Sequence, residues 1–408
     1  MEAPVLLITP PFTQLNTPYP ATAYLKGFFN TKNIATVQAD LGIEVTMELF
    51  SKQGLEKLFS AIAAKTESTE LIYSGNSLRM IALRDTYIQT IEHVIQFLQG
   101  KQNTLAHTIC TRQFLPEANR FAQMDDLKWA FGSMGKQDRA KHIATMYLED
   151  LGNLIKETID PYFGFSRYAE SLGRSANSFD ELYAALNAPV TFLDIILLDI
   201  LEKHIQKVQP KLVCISVPFP GNLYTSLRCG QWIKQHHPSI KVAMGGGFAN
   251  TELRSLSDPR VFEFYDFITL DDGEAPIEIL IDHIDGKKEV HDLKRCFTLL
   301  NGVVTYINES IYPDYKQHQL GTPDYEGLLL DQYISVIELV NPMHSLWSDG
   351  RWNKLTMAHG CYWGKCTFCD ISLDYIKTYE PATASLLADR MELMIAQTGQ
   401  NGFHFVDE

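Results

Sequence analysis

The stretch AHGCYWGKCTFCDIS, residues 358–372, places Cys361, Cys366 and Cys369 within nine residues of a chain that has only seven cysteines. A disulfide inside so short a loop would strain the backbone and leave one thiol over. A catalytic thiol needs one nucleophile and a base, and gains nothing from two more. Three convergent thiolates repel one another unless a cation neutralises them, so metal ligation is the chemistry that uses all three. Which metal is open on spacing alone. A structural zinc site wants four ligands, and His359, two residues ahead of Cys361, could complete a Cys₃His set. A ferredoxin-type cluster wants a fourth cysteine, often followed by proline, and no cysteine follows Cys369. Three thiolates on a four-iron cluster would leave one iron open to a ligand from outside the protein.

Composition narrows the setting. The chain has 408 residues, 45% hydrophobic and 21% charged, with 35 Lys plus Arg against 49 Asp plus Glu and a net charge of −14. An acidic chain without a basic run is a poor phosphate binder, so nucleic acid is not an expected partner. No apolar run approaches the ~20 residues that span a bilayer, so no membrane partner is expected either. The start MEAPVLLITPPF lacks a positive n-region and a small-residue cleavage site. Scattered cysteines at 110, 214, 229 and 296 are no disulfide framework, and the expectation is a cytoplasmic chain with reduced thiols.

The elements that must position the cysteines follow from periodicity. VLLI at 5–8 and LVCISV at 212–217 are short continuous apolar runs, the pattern of strands buried on both faces. IATVQ (34–38), 241–244 and FYDFITL (264–270) read as further strands. Helical spacing lies between them at 21–29, 224–236 and 276–284. Alternation of this kind predicts an α/β fold with a doubly wound parallel sheet. From about residue 45 to 206 the strand signal gives way to helical spacing, which predicts an inserted helical region. Ligands of such sheets bind at the carboxyl ends of the strands. Those ends here are Thr9-Pro10-Pro11, Ser216-Val217-Pro218, Gly245-Gly246-Gly247 and Asp271 to Glu274. Three successive glycines admit either a ligand or another backbone, because no Cβ stands in the way. Asn301-Gly302 between two alternating runs predicts a hairpin.

The motif HGCYWGKCTFCD resembles the cluster loop of radical S-adenosylmethionine enzymes, with a first spacing of four residues where that family usually has three. The run LLITPPFTQLNTPYPATAYLKGFF, followed in order by SVPFPG, GGGFAN and DDGEAP, resembles the cobalamin-binding Rossmann domain fused ahead of many of those enzymes. TPDYEGLLLDQY resembles their linker. The resemblance implies a Rossmann-like cobalamin-binding-type sheet over 1–286, a hairpin and linker over 287–345, and the start of a radical S-adenosylmethionine βα barrel over 346–408. It further implies that Cys361, Cys366 and Cys369 hold three irons of a [4Fe-4S] cluster, and that the open iron chelates S-adenosylmethionine. Phe368 would pack near the adenine, and Asp407 and Glu408 would lie near the methionine amino group. Cobalamin would sit at Ser216, Gly245, Gly246 and Gly247, although the D-x-H-x-x-G motif of histidine-swapping cobalamin domains is absent from the sequence.

The expected function is therefore reductive cleavage of S-adenosylmethionine to a 5′-deoxyadenosyl radical in a cobalamin-dependent enzyme, with methyl transfer the leading reaction. Its partners would be an electron donor and a small-molecule or peptide substrate. Two rival readings stand beside it: a non-catalytic module that binds cobalamin, a cluster or both, and a zinc-stabilised α/β protein. Only one helix (383–397) and one strand (403–406) are expected after Cys369, which predicts the front part of a longer enzyme or a truncated product.

Overall fold

Val5–Thr9 (β1) is buried at every residue, as its unbroken apolar run requires, and it forms the middle of a sheet rather than an edge. The computed structural model describes residues 4–68, 72–121, 135–165, 168–173, 178–336, 351–367 and 372–407. Within them β1, β2 (Thr36–Asp40), β3 (Leu212–Ser216), β4 (Lys241–Gly245), β5 (Phe267–Thr269), β6 (Cys296–Leu300) and β7 (Val303–Ile307) make one seven-stranded sheet in the order β2-β1-β3-β4-β5-β6-β7. The first five strands are parallel, and β6 and β7 are antiparallel. This is the Rossmann-like α/β architecture expected of the β/α alternation, with the doubly wound order 2-1-3-4-5.

Alternate residues of the strands feed two cores. Leu6, Ile8, Val213, Ile215, Val242 and Met244 face one side, while Val5, Leu7, Leu212, Cys214 and Ala243 face the other. The second side is covered by α1 (Ala21–Thr31) and, further along the chain, by the helix Glu274–Ile284. The first side is covered by the helical region inserted between β2 and β3. That region contains α2 (Leu41–Leu49), α3 (Lys52–Ser68), α4 (Gly75–Ala82), α5 (Arg84–Leu98), α6 (Leu105–Cys110), α7 (Gly135–Thr158), α8 (Glu170–Gly173), α9 (Asp180–Asn187) and α10 (Phe192–Val208). The remaining helices attached to this sheet are α11 (Leu223–His236), α12 (Gly247–Glu252) and α13, the helix Glu274–Ile284.

A buried polar joint fastens the insertion. Asp194 closes a capping box with Thr191 at the start of α10. Its Oδ2 accepts from the Tyr224 hydroxyl at 2.9 Å and lies 3.2 Å from Arg228 Nε, both on α11. No single helix among the described residues is long and apolar enough to cross a membrane.

The hairpin expected at Asn301-Gly302 forms, with both residues at positive φ (51° and 80°) as a primed turn demands. Its place differs from the expected connector, because β6 pairs antiparallel with β5 and so extends the sheet. The segment that follows is strapped across α1 and β2. Lys26 Nζ lies 3.2 Å from Asp324 Oδ2, Gln38 Nε2 donates to Asp324 O at 2.7 Å, and the Tyr333 hydroxyl donates to Asp40 Oδ2 at 2.7 Å. Beyond it β8 (Asn353–His359), β9 (Glu380–Pro381) and β10 (Phe403–Asp407) form a second sheet in the order β10-β8-β9, with α14 (Asp374–Lys377) and α15 (Ala384–Thr398) between its strands. β8 and β10 are parallel, as a βα unit requires. A small core of Ala23, Tyr325, Leu328, Leu355 and Met394 joins this sheet to α1. Arg390 of α15 is fully buried and donates to Gly321 O, Gln317 Oε1 and Gln317 O at 3.0, 2.9 and 2.6 Å.

Asp40 makes stability depend on pH. Burial pushes its carboxyl up to about 6, against the bonds from Tyr333 and from the amides of Ile43 and Gly42. The folded state therefore holds a proton that the unfolded chain releases near pH 4, and the stabilisation is lost as pH rises through about 6. The change corresponds to about 3 kcal/mol. Asp40→Asn is expected to remove most of this fall when denaturant midpoints are compared at pH 4.5 and pH 7, whereas an unchanged pH dependence contradicts the assignment.

Candidate functional site

In the strand order 2-1-3-4-5 the chain reverses direction across the sheet between β1 and β3, and the crevice at the carboxyl ends opens there. A cavity of about 580 Å³ lies at that point. Its floor is formed by the ends of β3, β4 and β5, and its sides by the first turns of α1 and α13. The second sheet closes it, through Lys354, Thr356 and His359 of β8 and through the loop that carries Cys361 and Cys366. Of the residues singled out in the sequence, Ser216, Gly245, Gly246, Gly247, Cys361 and Cys366 all line this one cavity. Phe368, Cys369 and Glu408 lie outside the described residues. Asp407 ends β10, where its backbone pairs with Ala358 across a register shift, and its neighbour Val406 lines the cavity.

A slot runs from the cavity down the α1 and α13 side of the sheet, walled by Leu7, Leu25, Cys214, Ala243 and Ile277. Burial pushes the Cys214 thiol up to about 12, so it stays protonated and behaves as a small apolar group. Ser216, at the carboxyl end of β3, is 8% exposed, and its hydroxyl has no hydrogen-bond partner. A buried hydroxyl without a partner is costly, and one on a cavity wall is a place for a ligand to be met. The glycine run has a reason within the chain itself. Gly246 has φ of 101°, and a Cβ there would stand 2.8 Å from Val217 O. One at Gly247 would stand 2.8 Å from Pro218 O. The run thus lets β4 and α12 nest against the Ser216-Val217-Pro218 turn while lining the cavity.

Charge is concentrated at the end of β5. Asp271, at φ of 62°, is paired with Arg254 and has Arg295 Nε 3.8 Å away. Burial raises the Asp272 carboxyl above its usual range, opposed by the charges of His359 and Arg295. His359, weighed above as a fourth zinc ligand, has its Nδ1 3.6 Å from Asp272 Oδ2 and so links the two sheets across the cavity.

The cysteine loop is held at its start, where the Cys361 amide donates to Ile376 O of α14 at 3.1 Å. Gly360 and Gly364 turn the chain at φ of 73° and 53°. Tyr362 and Trp363 are 73% and 54% exposed. No disulfide joins the described cysteines.

Thr22, Tyr24 and Lys354 also line the cavity, and the sequence did not single them out as site residues. The Tyr24 hydroxyl accepts from the Thr356 amide at 2.7 Å and lies 3.4 Å from Lys354 O, which seats β8 on the first turns of α1. Tyr24→Phe strands that amide and is expected to destabilise the protein by about 1–3 kcal/mol. It should also speed hydrogen exchange at Thr356, while unaltered exchange there would show that the bond does not hold the two sheets together.

No family model matches the chain, and no curated protein matches it. Among solved structures, the cobalamin-dependent S-adenosylmethionine radical enzyme OxsB with aqua-cobalamin bound matches at 16% identity and a TM-score of 0.40, over 52% of this chain and 27% of that one. The radical S-adenosylmethionine methyltransferase TsrM from Kitasatospora setae, with cobalamin and a [4Fe-4S] cluster bound, matches at 16% identity and a TM-score of 0.34, over 52% of this chain and 40% of that one. The matched part thus spans well under half of either enzyme, and at these scores the likeness carries neither cofactor nor reaction across. In that limited sense the chain is similar, over about half of its own length, to cobalamin-dependent radical S-adenosylmethionine enzymes.

Proposed function

We propose that this chain binds a [4Fe-4S] cluster through Cys361, Cys366 and Cys369, S-adenosylmethionine beside it, and cobalamin in the cavity and slot at the end of the first sheet. We propose further that it serves methyl transfer to a small-molecule or peptide substrate, with an external electron donor. One observation carries the reading: the strand ends at Ser216 and Gly245 to Gly247 and the cysteine loop that starts 114 to 145 residues further on line a single cavity. When bound, these groups supply reductive cleavage of S-adenosylmethionine to a 5′-deoxyadenosyl radical and a methyl carrier. The residues present fit such occupants. The slot between α1 and α13 is apolar enough to take an aromatic base and exclude water from it, and the unpartnered Ser216 hydroxyl supplies a directed hydrogen bond at the strand end. The neutral Cys214 thiol does not compete for metal. Three cysteine ligands on a four-iron cluster would leave one iron for a non-protein ligand.

The test is formation of 5′-deoxyadenosine from S-adenosylmethionine by the anaerobically reconstituted, reduced protein. Product above the Cys366→Ala background supports the proposal. A protein that holds its cluster and S-adenosylmethionine yet yields none contradicts it.

A further inference from the structure

The first turn of α1 faces the cavity, and no side chain among the described residues caps it. Helix α1 starts at Ala21 after Pro20, with no side-chain cap and no acidic residue in its first turn. Tyr19, Pro20, Ala21 and Thr22 all line the cavity. Free N–H groups and the helix dipole favour an anion at such an end, but many helix ends bind nothing, so this alone decides little. Two independent observations point to a ligand. Thr22 is 1% exposed and its hydroxyl has no hydrogen-bond partner, although it sits on the cavity wall. Lys354 of β8 also lines the cavity, half-buried, and its ammonium donates to His404 Nδ1 at 3.0 Å, a partner without negative charge. No carboxylate among the described residues lies within ion-pair distance of Lys354. Burial holds its pKa below the usual lysine range, as expected of a cation without a counter-ion. Of the acids that line the cavity, Asp271 is held by Arg254 and Arg295 and Asp272 faces His359, while Glu274 lies in the first turn of α13. The Tyr24 bond to the Thr356 amide brings α1 and the Lys354 segment of β8 side by side.

We propose that the first turn of α1, the Thr22 hydroxyl and the Lys354 ammonium form an oxyanion subsite of the cavity, which takes a phosphate or carboxylate group of the molecule bound there. The proposal rests on the reading of this cavity as a cofactor site, and it adds the element that reading lacks, a counter-charge. Two sources share the chemistry: the phosphodiester of cobalamin, and the carboxylate of S-adenosylmethionine.

The experiment compares wild type, Thr22→Val and Lys354→Met in binding three probes: aquocobalamin, cobinamide (the same corrin without the phosphate and base) and S-adenosylmethionine. Inorganic phosphate, followed by its ³¹P linewidth, is a fourth probe that does not depend on the cofactor reading. Neither variant should unfold the protein, because Thr22→Val removes a buried hydroxyl without a partner and Lys354→Met removes a half-buried cation whose printed bond is to His404 Nδ1, with no carboxylate among the described residues left unpaired. Folding is therefore not the confounder. The expected result is an affinity loss of about tenfold for cobalamin in both variants with cobinamide unchanged, and loss of phosphate broadening. A loss confined to S-adenosylmethionine also supports the subsite and assigns it to the carboxylate. Binding of all four probes at wild-type strength by both variants overturns it. If wild type binds neither corrinoid nor S-adenosylmethionine but still broadens phosphate in a Thr22- and Lys354-dependent way, the subsite stands and the proposed function falls.

Discussion

Cys366→Ala is expected to empty the anaerobically reconstituted protein of its metal, from about four irons and four sulfides per chain to less than about one. The loss is large because a cluster held by three thiolates has no protein ligand to spare. The change should leave the fold intact. Cys366 is only partly buried, and its loop is held at its start by the Cys361 amide on Ile376 O. Circular dichroism and thermal melting of the metal-free variant should therefore match those of metal-free wild type. His359→Ala is the companion change. His359 faces Asp272 across the cavity, so on the cluster reading it can be removed with the iron content unchanged. On a Cys₃His zinc reading it removes a ligand and the metal with it.

Gly246→Ala is expected to strike both stability and ligand binding. At φ of 101° and ψ of 179° an alanine sits in a backbone region that costs about 1–3 kcal/mol. Its Cβ would also approach three backbone atoms of Val217 at 2.8 to 3.0 Å. Backbone cannot swing aside as a flexible side chain does, so the 216–218 turn must move and carry the Ser216 hydroxyl with it. We expect a lowered melting temperature and a corrinoid affinity reduced by more than about tenfold. Ser216→Ala separates the two effects. The Ser216 hydroxyl has no partner among the described residues, so its removal should leave the stability of the ligand-free protein unchanged or slightly raised, while corrinoid affinity still falls. Equal corrinoid affinity in both variants and wild type would mean that the turn binds nothing.

What could be read from the sequence was what local chemistry determines. β1 and β3 were legible because a strand buried on both faces leaves an unbroken apolar run, and Pro10-Pro11 and Pro218 mark where each must stop. The hairpin was legible because Asn301-Gly302 satisfies a turn that needs positive φ twice. Its destination was not, since pairing Phe267 with Thr298 is a long-range choice that no local pattern encodes. The cysteine loop and the strand ends at Ser216 and 245–247 were legible as separate motifs, whereas their meeting in one cavity depends on how β8 docks on α1. That docking rests on Ala23, Tyr325, Leu355 and Met394, ordinary apolar residues far apart in the chain. Thr22 and Lys354 stayed silent for the same reason. A threonine after Tyr-Pro-Ala and a lysine in a strand have no distinguishing pattern, and they become unusual only once burial leaves the Thr22 hydroxyl without a partner and the Lys354 ammonium without a counter-ion among the described residues.

The measurement that tests the central claim most directly is the iron, acid-labile sulfide, zinc and cobalt content of one wild-type sample, reconstituted anaerobically with cobalamin present and then desalted. The account predicts about four irons, about four sulfides and about one cobalt per chain, bound together because the cysteine loop and the strand-end cradle share one cavity. About one zinc per chain, with neither a stable cluster nor retained cobalt, would contradict it and leave a structural metal on an α/β scaffold.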